Sequence, residues 1–120
     1  MFSTVGTTAM CSYYDEKEVC CVAQNIVGLR FDNDCDSRFM FYLLSEDKNN
    51  RYIKSIQMNG VQPSIKVTQF IKLFFQIPCL REQQKIADCL STYDEAIQIK
   101  KDKLEVWKKI KKGLLQQMFV

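Results

Sequence analysis

The chain has 120 residues, 47% of them hydrophobic and 26% charged, with a formal net charge of +3. That is an ordinary soluble composition, enough for one small domain or one small domain plus an extension. There is no His, which removes the commonest general base and metal ligand, and no stretch reaches the roughly 18 apolar residues of a membrane span.

In chain order, Phe2-Ser3-Thr4-Val5 reads as the end of a strand and Gly6-Thr7-Thr8 as the turn after it. Residues 9–14 form the returning strand, followed by a charged loop, Asp15-Glu16-Lys17-Glu18. Residues 19–23 and 26–31 are β-branched and apolar runs of strand length. Between them Gln24-Asn25 is a bulge or an edge loop; Gln and Asn are also the residues that read adenine with two hydrogen bonds. Asp32, Asp34 and Asp36 alternate without the glycine and terminal Glu of a calcium loop, so they read as a cluster capping a helix. That helix covers residues 37–44, with a broad apolar face from Phe39, Met40, Tyr42, Leu43 and Leu44. A second helix, residues 48–58, turns Tyr52, Ile53 and Ile56 inward and Lys48, Arg51 and Lys54 outward, and Asn59-Gly60 ends it. Val61-Gln62-Pro63-Ser64 is a loop, residues 67–72 a short helix, and residues 73–77 a buried strand closed by Pro78. Pro78 is the expected hinge between globule and helix.

The six cysteines form no C-x-x-C pair, so a zinc site is not expected. The N-terminus has neither the basic segment nor the apolar run of a signal peptide, and free thiols in a cytoplasmic protein are the expectation. There is no glycine-rich phosphate loop and no G-x-S-x-G. Nothing in the sequence argues for an enzyme, a metal or a cofactor.

From Arg81 to Met118 the chain has no Pro and a single Gly, Gly113. A 4-3-4-3 step runs through Ile86, Leu90, Tyr93, Ile97, Lys100, Leu104, Trp107, Lys111, Leu114 and Met118, eight of which are apolar or aromatic. This is a heptad seam of coiled-coil type, on a helix about 57 Å long at 1.5 Å per residue. A small globule cannot cover such a seam, so another helix must. Residues 1–80 carry eight bases and eight acids, and residues 81–120 nine bases and six acids, so the whole excess belongs to the helix. Lys101, Lys103, Lys108, Lys109, Lys111 and Lys112 crowd its last turns, where the helix dipole favours cations, and Glu105 precedes Lys109 by the favourable four residues. Lys100 and Lys111 lie on the seam, where polar residues set register or partner.

Ile77-Pro78-Cys79-Leu80-Arg81-Glu82-Gln83-Gln84-Lys85-Ile86-Ala87 resembles the junction that opens a long conserved helix in specificity subunits of type I restriction-modification systems. Lys111-Lys112-Gly113-Leu114-Leu115-Gln116-Gln117-Met118-Phe119 is similar to the close of that helix. More loosely, Val5-Gly6-Thr7-Thr8, Ala23-Gln24-Asn25-Ile26, Phe39-Met40-Phe41-Tyr42-Leu43-Leu44 and Asn59-Gly60-Val61-Gln62-Pro63 resemble parts of that family's target recognition domain. Cys79 stands where the family usually has a second Pro, Arg81 where it has an acid, and Gly28 where a larger residue is common.

The resemblance implies an α+β fold. A small mixed globular domain, residues 1–78, is the C-terminal part of a target recognition domain; residues 79–120 are one conserved helix for dimerisation, spacing and docking of the modification subunit. A full subunit carries two such domains and two such helices, so the chain reads as a half-subunit or a truncated frame. It implies a cytoplasmic, non-catalytic subunit that recognises double-stranded DNA. Its other partners are the modification (methyltransferase) subunit, the restriction subunit through the complex, and a second copy or half-subunit through the helix. Thr7, Thr8, Gln24, Asn25 and Gln62 are the candidate base contacts and Lys54 and Lys66 the candidate phosphate contacts. Ile86, Leu90, Tyr93, Ile97, Leu104, Trp107, Leu114 and Met118 are the helix interface. The alternative is a helix-mediated interaction fragment that no longer binds DNA.

Overall fold

In a computed structural model of the protein, which describes residues 1–15 and 19–119, the fold is α+β. Its elements are β1 (Phe2–Ser3), β2 (Ile26–Val27), α1 (Ser37–Ser45), α2 (Asp47–Lys54), α3 (Val67–Phe70) and α4 (Leu80–Met118). The chain divides into two compact units, Met1–Ala87 and a second that begins at Asp88. The opening turns of α4 therefore belong to the first unit.

β1 pairs antiparallel with β2, Phe2 opposite Val27 and Ser3 opposite Ile26. Its other edge meets the return arm, where Phe2 bridges Cys11. Ser3 N–H donates to the Met10 carbonyl, and Ala9 N–H to the Ser3 carbonyl, both at 3.0 Å. Reversing the chain over so few residues takes two left-handed positions, Gly6 (φ 80°) and Ala9 (φ 60°). Gly6 adopts this freely. At Ala9 it costs roughly 1–2 kcal/mol, opposed by burial of its methyl and by Asn50 Nδ2 donating to its carbonyl at 2.6 Å.

The main core joins Phe2, Ala9, Leu44, Ile53 and Ile65, with the Phe70 ring stacked on Phe2 at 4.5 Å. A second cluster packs Phe39 and Met40 of α1 against Ala87 of α4, with Ile86 and Phe31 at its margin. Asp36 caps α1 as the sequence indicates, its Oδ1 accepting from Phe39 N–H at 2.9 Å. Glu46 caps α2 with both carboxylate oxygens, accepting from Lys48 N–H and Asn49 N–H at 3.0 and 2.9 Å. Those backbone donors hold its carboxyl below the ordinary carboxylate range.

Gln83 ties α4 to this unit. It is 1% exposed. Its Oε1 accepts from Asp36 N–H at 2.9 Å, while Nε2 donates to the Pro78 carbonyl at 2.9 Å and the Asp34 carbonyl at 3.2 Å. One buried amide thus joins the segment before α4, its first turn and the loop that caps α1.

Several expected elements are shorter or absent. Of residues 26–31 only Ile26–Val27 is strand, and residues 9–14 contribute a single bridge at Cys11. Residues 19–23 and 73–77 are not strands. In the latter run Leu73 and Phe75 are half-buried against the core while Phe74 and Gln76 are exposed, so the alternation of a strand is present. Its backbone pairs with no ladder among the described residues. The second helix ends at Lys54, not Met58, because Met58 leaves it to pair with Ser64. Tyr52 lies exposed rather than inward, its ring edge-on to Phe75 at 5.8 Å. The short helix stops at Phe70. Glu105 takes Lys108, three residues on, at 2.8 Å rather than Lys109. Of the expected charged loop, Glu16, Lys17 and Glu18 lie outside the described residues. The long helix stands as one element from Leu80 to Met118. Among the described residues no helix is long and apolar enough to cross a membrane.

Gln83→Leu keeps the volume and removes all three hydrogen bonds, leaving a buried N–H and two carbonyls without their partner. The variant is expected to lose about 2 kcal/mol or more in urea unfolding; a loss below about 0.5 kcal/mol would contradict the role given to this amide.

Candidate nucleic-acid interface

Three loops converge on the segment Thr4-Val5-Gly6. The first is its own continuation, the turn through Thr7 and Thr8, where Ser3 Oγ donates to the Thr7 carbonyl at 2.6 Å. The second is the Gln24-Asn25 turn, closed by Ile26 N–H donating to the Ala23 carbonyl at 3.0 Å. It is tied in by the Asn25 carbonyl, which accepts from Thr4 N–H at 2.9 Å and Thr4 Oγ1 at 3.2 Å. The third runs through residues 59–63. Its neck is a reciprocal pair, Met58 N–H to the Ser64 carbonyl at 2.8 Å and Ser64 N–H to the Met58 carbonyl at 3.2 Å. It docks through Gly6 N–H to the Pro63 carbonyl at 2.9 Å and Ile65 N–H to the Thr4 carbonyl at 2.8 Å.

The result is a short backbone lattice that presents loop tips. Gln24, Asn25 and Gln62 are exposed. Gln62 also lies against Gly6, where an added Cβ would sit 3.7 Å from its Nε2. Thr7 is exposed, whereas Thr8 is buried and its hydroxyl donates to Gln57 Oε1. Gln57 Nε2 in turn donates to Asn59 Oδ1 at 3.4 Å. Thr8 is thus placed to support the third loop from below. Lys54 is exposed at the end of α2, three residues before Gln57, and Lys66 is exposed directly after Ile65. These two cations flank the third loop in the chain.

Three further residues belong to this surface. Gln57 and Asn59 frame the loop with side-chain amides, and Val61 stands fully exposed at its tip. The sequence signal for them was the run of amides around Gly60, which reads equally well as a helix end. Amides offer a donor and an acceptor side by side, as base-edge recognition needs, and an exposed β-branched side chain can meet a thymine methyl. The surface carries no nucleophile–base pair. Among the described residues no group of three His, Cys, Asp or Glu is placed to hold a metal ion.

A separate cavity of about 760 Å³, lined in part by Cys11, Tyr14, Arg30 and Phe41, shares no residue with the three loops. Burial pushes the Cys11 thiol above its ordinary range. In the second unit Leu90, Tyr93, Ile97, Leu104, Trp107, Leu114 and Met118 are all exposed. Ile86 is instead half-buried beside Ala87 in the second core cluster, so the uncovered part of the seam begins at Leu90.

A family model described as the type I restriction modification DNA specificity domain matches residues 1–109. The chain is 33% identical over 117 residues to a protein of Methanocaldococcus jannaschii assigned as the type I restriction enzyme MjaX specificity subunit, a match that covers 96% of this chain and 27% of that one. It is 31% identical over 84 residues to the MjaIX specificity subunit of the same organism, covering 70% of this chain and 19% of the relative. The MjaVIII specificity subunit shares 29% over 80 residues, with 67% and 19% covered. The chain therefore spans between about a fifth and about a quarter of these relatives' length. No solved structure matches it.

Thr8→Val removes the bond to Gln57 while keeping the shape. It is expected to cost about 1 kcal/mol of stability and to speed amide hydrogen exchange across residues 57–63; unchanged exchange there would show that Thr8 does not hold the third loop.

Proposed function

The chain belongs to the family of type I restriction-modification DNA specificity domains, and from that membership we propose that it is a non-catalytic DNA-recognition component. The observation that carries the proposal is the convergence of three loops, two of them amide-bearing, on Thr4-Val5-Gly6. Gln24, Asn25 and Gln62, with Thr7, reach base edges in the major groove of double-stranded DNA. Lys54 and Lys66 hold phosphates on either side of the third loop. Thr8 acts indirectly, by fixing Gln57. Phosphate contacts would set position and the amides sequence. Residues 1–78 supply the recognition surface and residues 79–120 the association helix.

In this reading catalysis lies with partners. The seam of α4 takes a second helix and docks the modification subunit, through which the restriction subunit joins, in the cytoplasm. A second reading, an association fragment without DNA binding, is favoured by the exposed seam alone. The two separate on one experiment, selection of duplexes from a random pool by the full chain.

DNA recognition predicts an enriched sequence whose affinity falls steeply with salt. Gln24→Ala, Asn25→Ala or Gln62→Ala is expected to lower preference for the enriched duplex about tenfold or more. Lys54→Ala or Lys66→Ala is expected to weaken all duplexes alike and reduce the salt slope by about 1. Selection without enrichment would favour the association fragment.

A further inference from the structure

The tip of the third loop is apolar although its setting is polar and cationic. Val61 is fully exposed there, between Gly60 and Gln62. On a slack loop a valine would turn inward and take its methyls out of water. This loop is tied on several sides instead. Its neck is closed by the two Met58–Ser64 hydrogen bonds, and Gly6 N–H holds the Pro63 carbonyl. Pro63 fixes its own φ, and the Gln57 amide links Asn59 to the buried hydroxyl of Thr8. These ties hold the two methyls of Val61 in water, a standing cost that an apolar contact would recover.

The surroundings select what that contact is. From Lys48 to Arg81 the chain has no Asp or Glu and six bases, Lys48, Arg51, Lys54, Lys66, Lys72 and Arg81. Residues 4–8 and 23–27, which supply the other two loops, carry no charge at all. No carboxylate of these segments would repel a polyanion. Gln62 rests its amide by Gly6, where an added Cβ would sit 3.7 Å from Nε2, whereas Val61 is left open on the outside. A protein surface that docked here would need a broader apolar patch than one valine between a glycine and an amide. A duplex matches the mixture. It offers phosphates to the cations, base-edge donors and acceptors to the amides, and an isolated methyl group at each thymine in the major groove.

We propose that Val61 is a specificity residue that reads the 5-methyl group of a thymine. The proposal deepens the reading of the three loops as a DNA-recognition surface and rests on it. The branched Cβ leaves Val61 few rotamers to lose on contact, and its short side chain brings the loop backbone close to the base edges. The contact separates thymine from cytosine by shape, since cytosine has no methyl at that position. It involves no charge, so it adds discrimination that salt does not screen.

The test uses the full chain and the duplex enriched by selection from a random pool. Each thymine is replaced in turn by deoxyuridine, which removes only the 5-methyl group, and affinity is read by fluorescence anisotropy. At one thymine the loss is expected to be about fourfold, the worth of one buried methyl, by the same factor at low and high salt. Val61→Ala is expected to bind the thymine and deoxyuridine duplexes equally at that position, while keeping its preference at the bases that Gln62→Ala relaxes. With cytosine placed there, adding its 5-methyl group is expected to restore the same factor in the parent chain and nothing in Val61→Ala. The proposal is overturned if no thymine responds, if the response persists in Val61→Ala, or if Val61→Ala loses preference at every base alike. Each of these leaves the enriched sequence, and so the recognition reading, standing. Selection without enrichment would overturn that reading and this proposal together.

Discussion

The buried amide of Gln83 is the interaction on which the architecture turns. α4 has to begin beside a small core whose capping loop already carries backbone groups in need of partners. A hydrocarbon side chain at this position would bury those groups unpaired, and a carboxylate would offer no donor to the carbonyls of Asp34 and Pro78. An amide, with one acceptor and two donor hydrogens, suits two carbonyls and one N–H. Packing of Ala87 and Ile86 against Phe39 and Met40 follows directly from that placement. Small and medium side chains at 86 and 87 let the helix approach α1 closely. The spacing of Gln83, Ile86 and Ala87 is the spacing of one helix face.

The loops show the same economy in a different form. The sheet is too short to stabilise itself, since β1 and β2 have two residues each and isolated two-stranded pairs are marginal in water. Thr4 compensates by bonding on both sides, its carbonyl to Ile65 and its N–H and hydroxyl to Asn25. The segment that would otherwise be an edge becomes the axis on which three loops are hung. Rigid backbone below and exposed amides above are what a recognition surface requires. The second unit has the opposite character: a regular helix with its apolar seam uncovered and its charges sorted into an acidic and a basic stretch.

Much of this was legible in the sequence. Asp36 as a cap, the turn at Gly6 and the run of α4 each followed from local chemistry that tertiary contacts did not overrule. The strands were harder. Residues 73–77 are an apolar run of strand length, but ladders need a second backbone, and such a run says only that side chains favour burial. Thr8, an expected base contact, is buried while its neighbour Thr7 is exposed, because a turn residue's composition says nothing about which way it points. Gln83 could not be distinguished from Gln84 by type. Only the structure shows that one is enclosed and the other exposed.

Amide hydrogen exchange of the full chain, with and without an enriched DNA duplex, tests the central claim most directly. The account predicts that DNA slows exchange in residues 4–8, 24–27 and 58–66, with the lysine-rich residues 100–112 unchanged. Protection confined to residues 100–112, with the three loops exchanging as before, would contradict it.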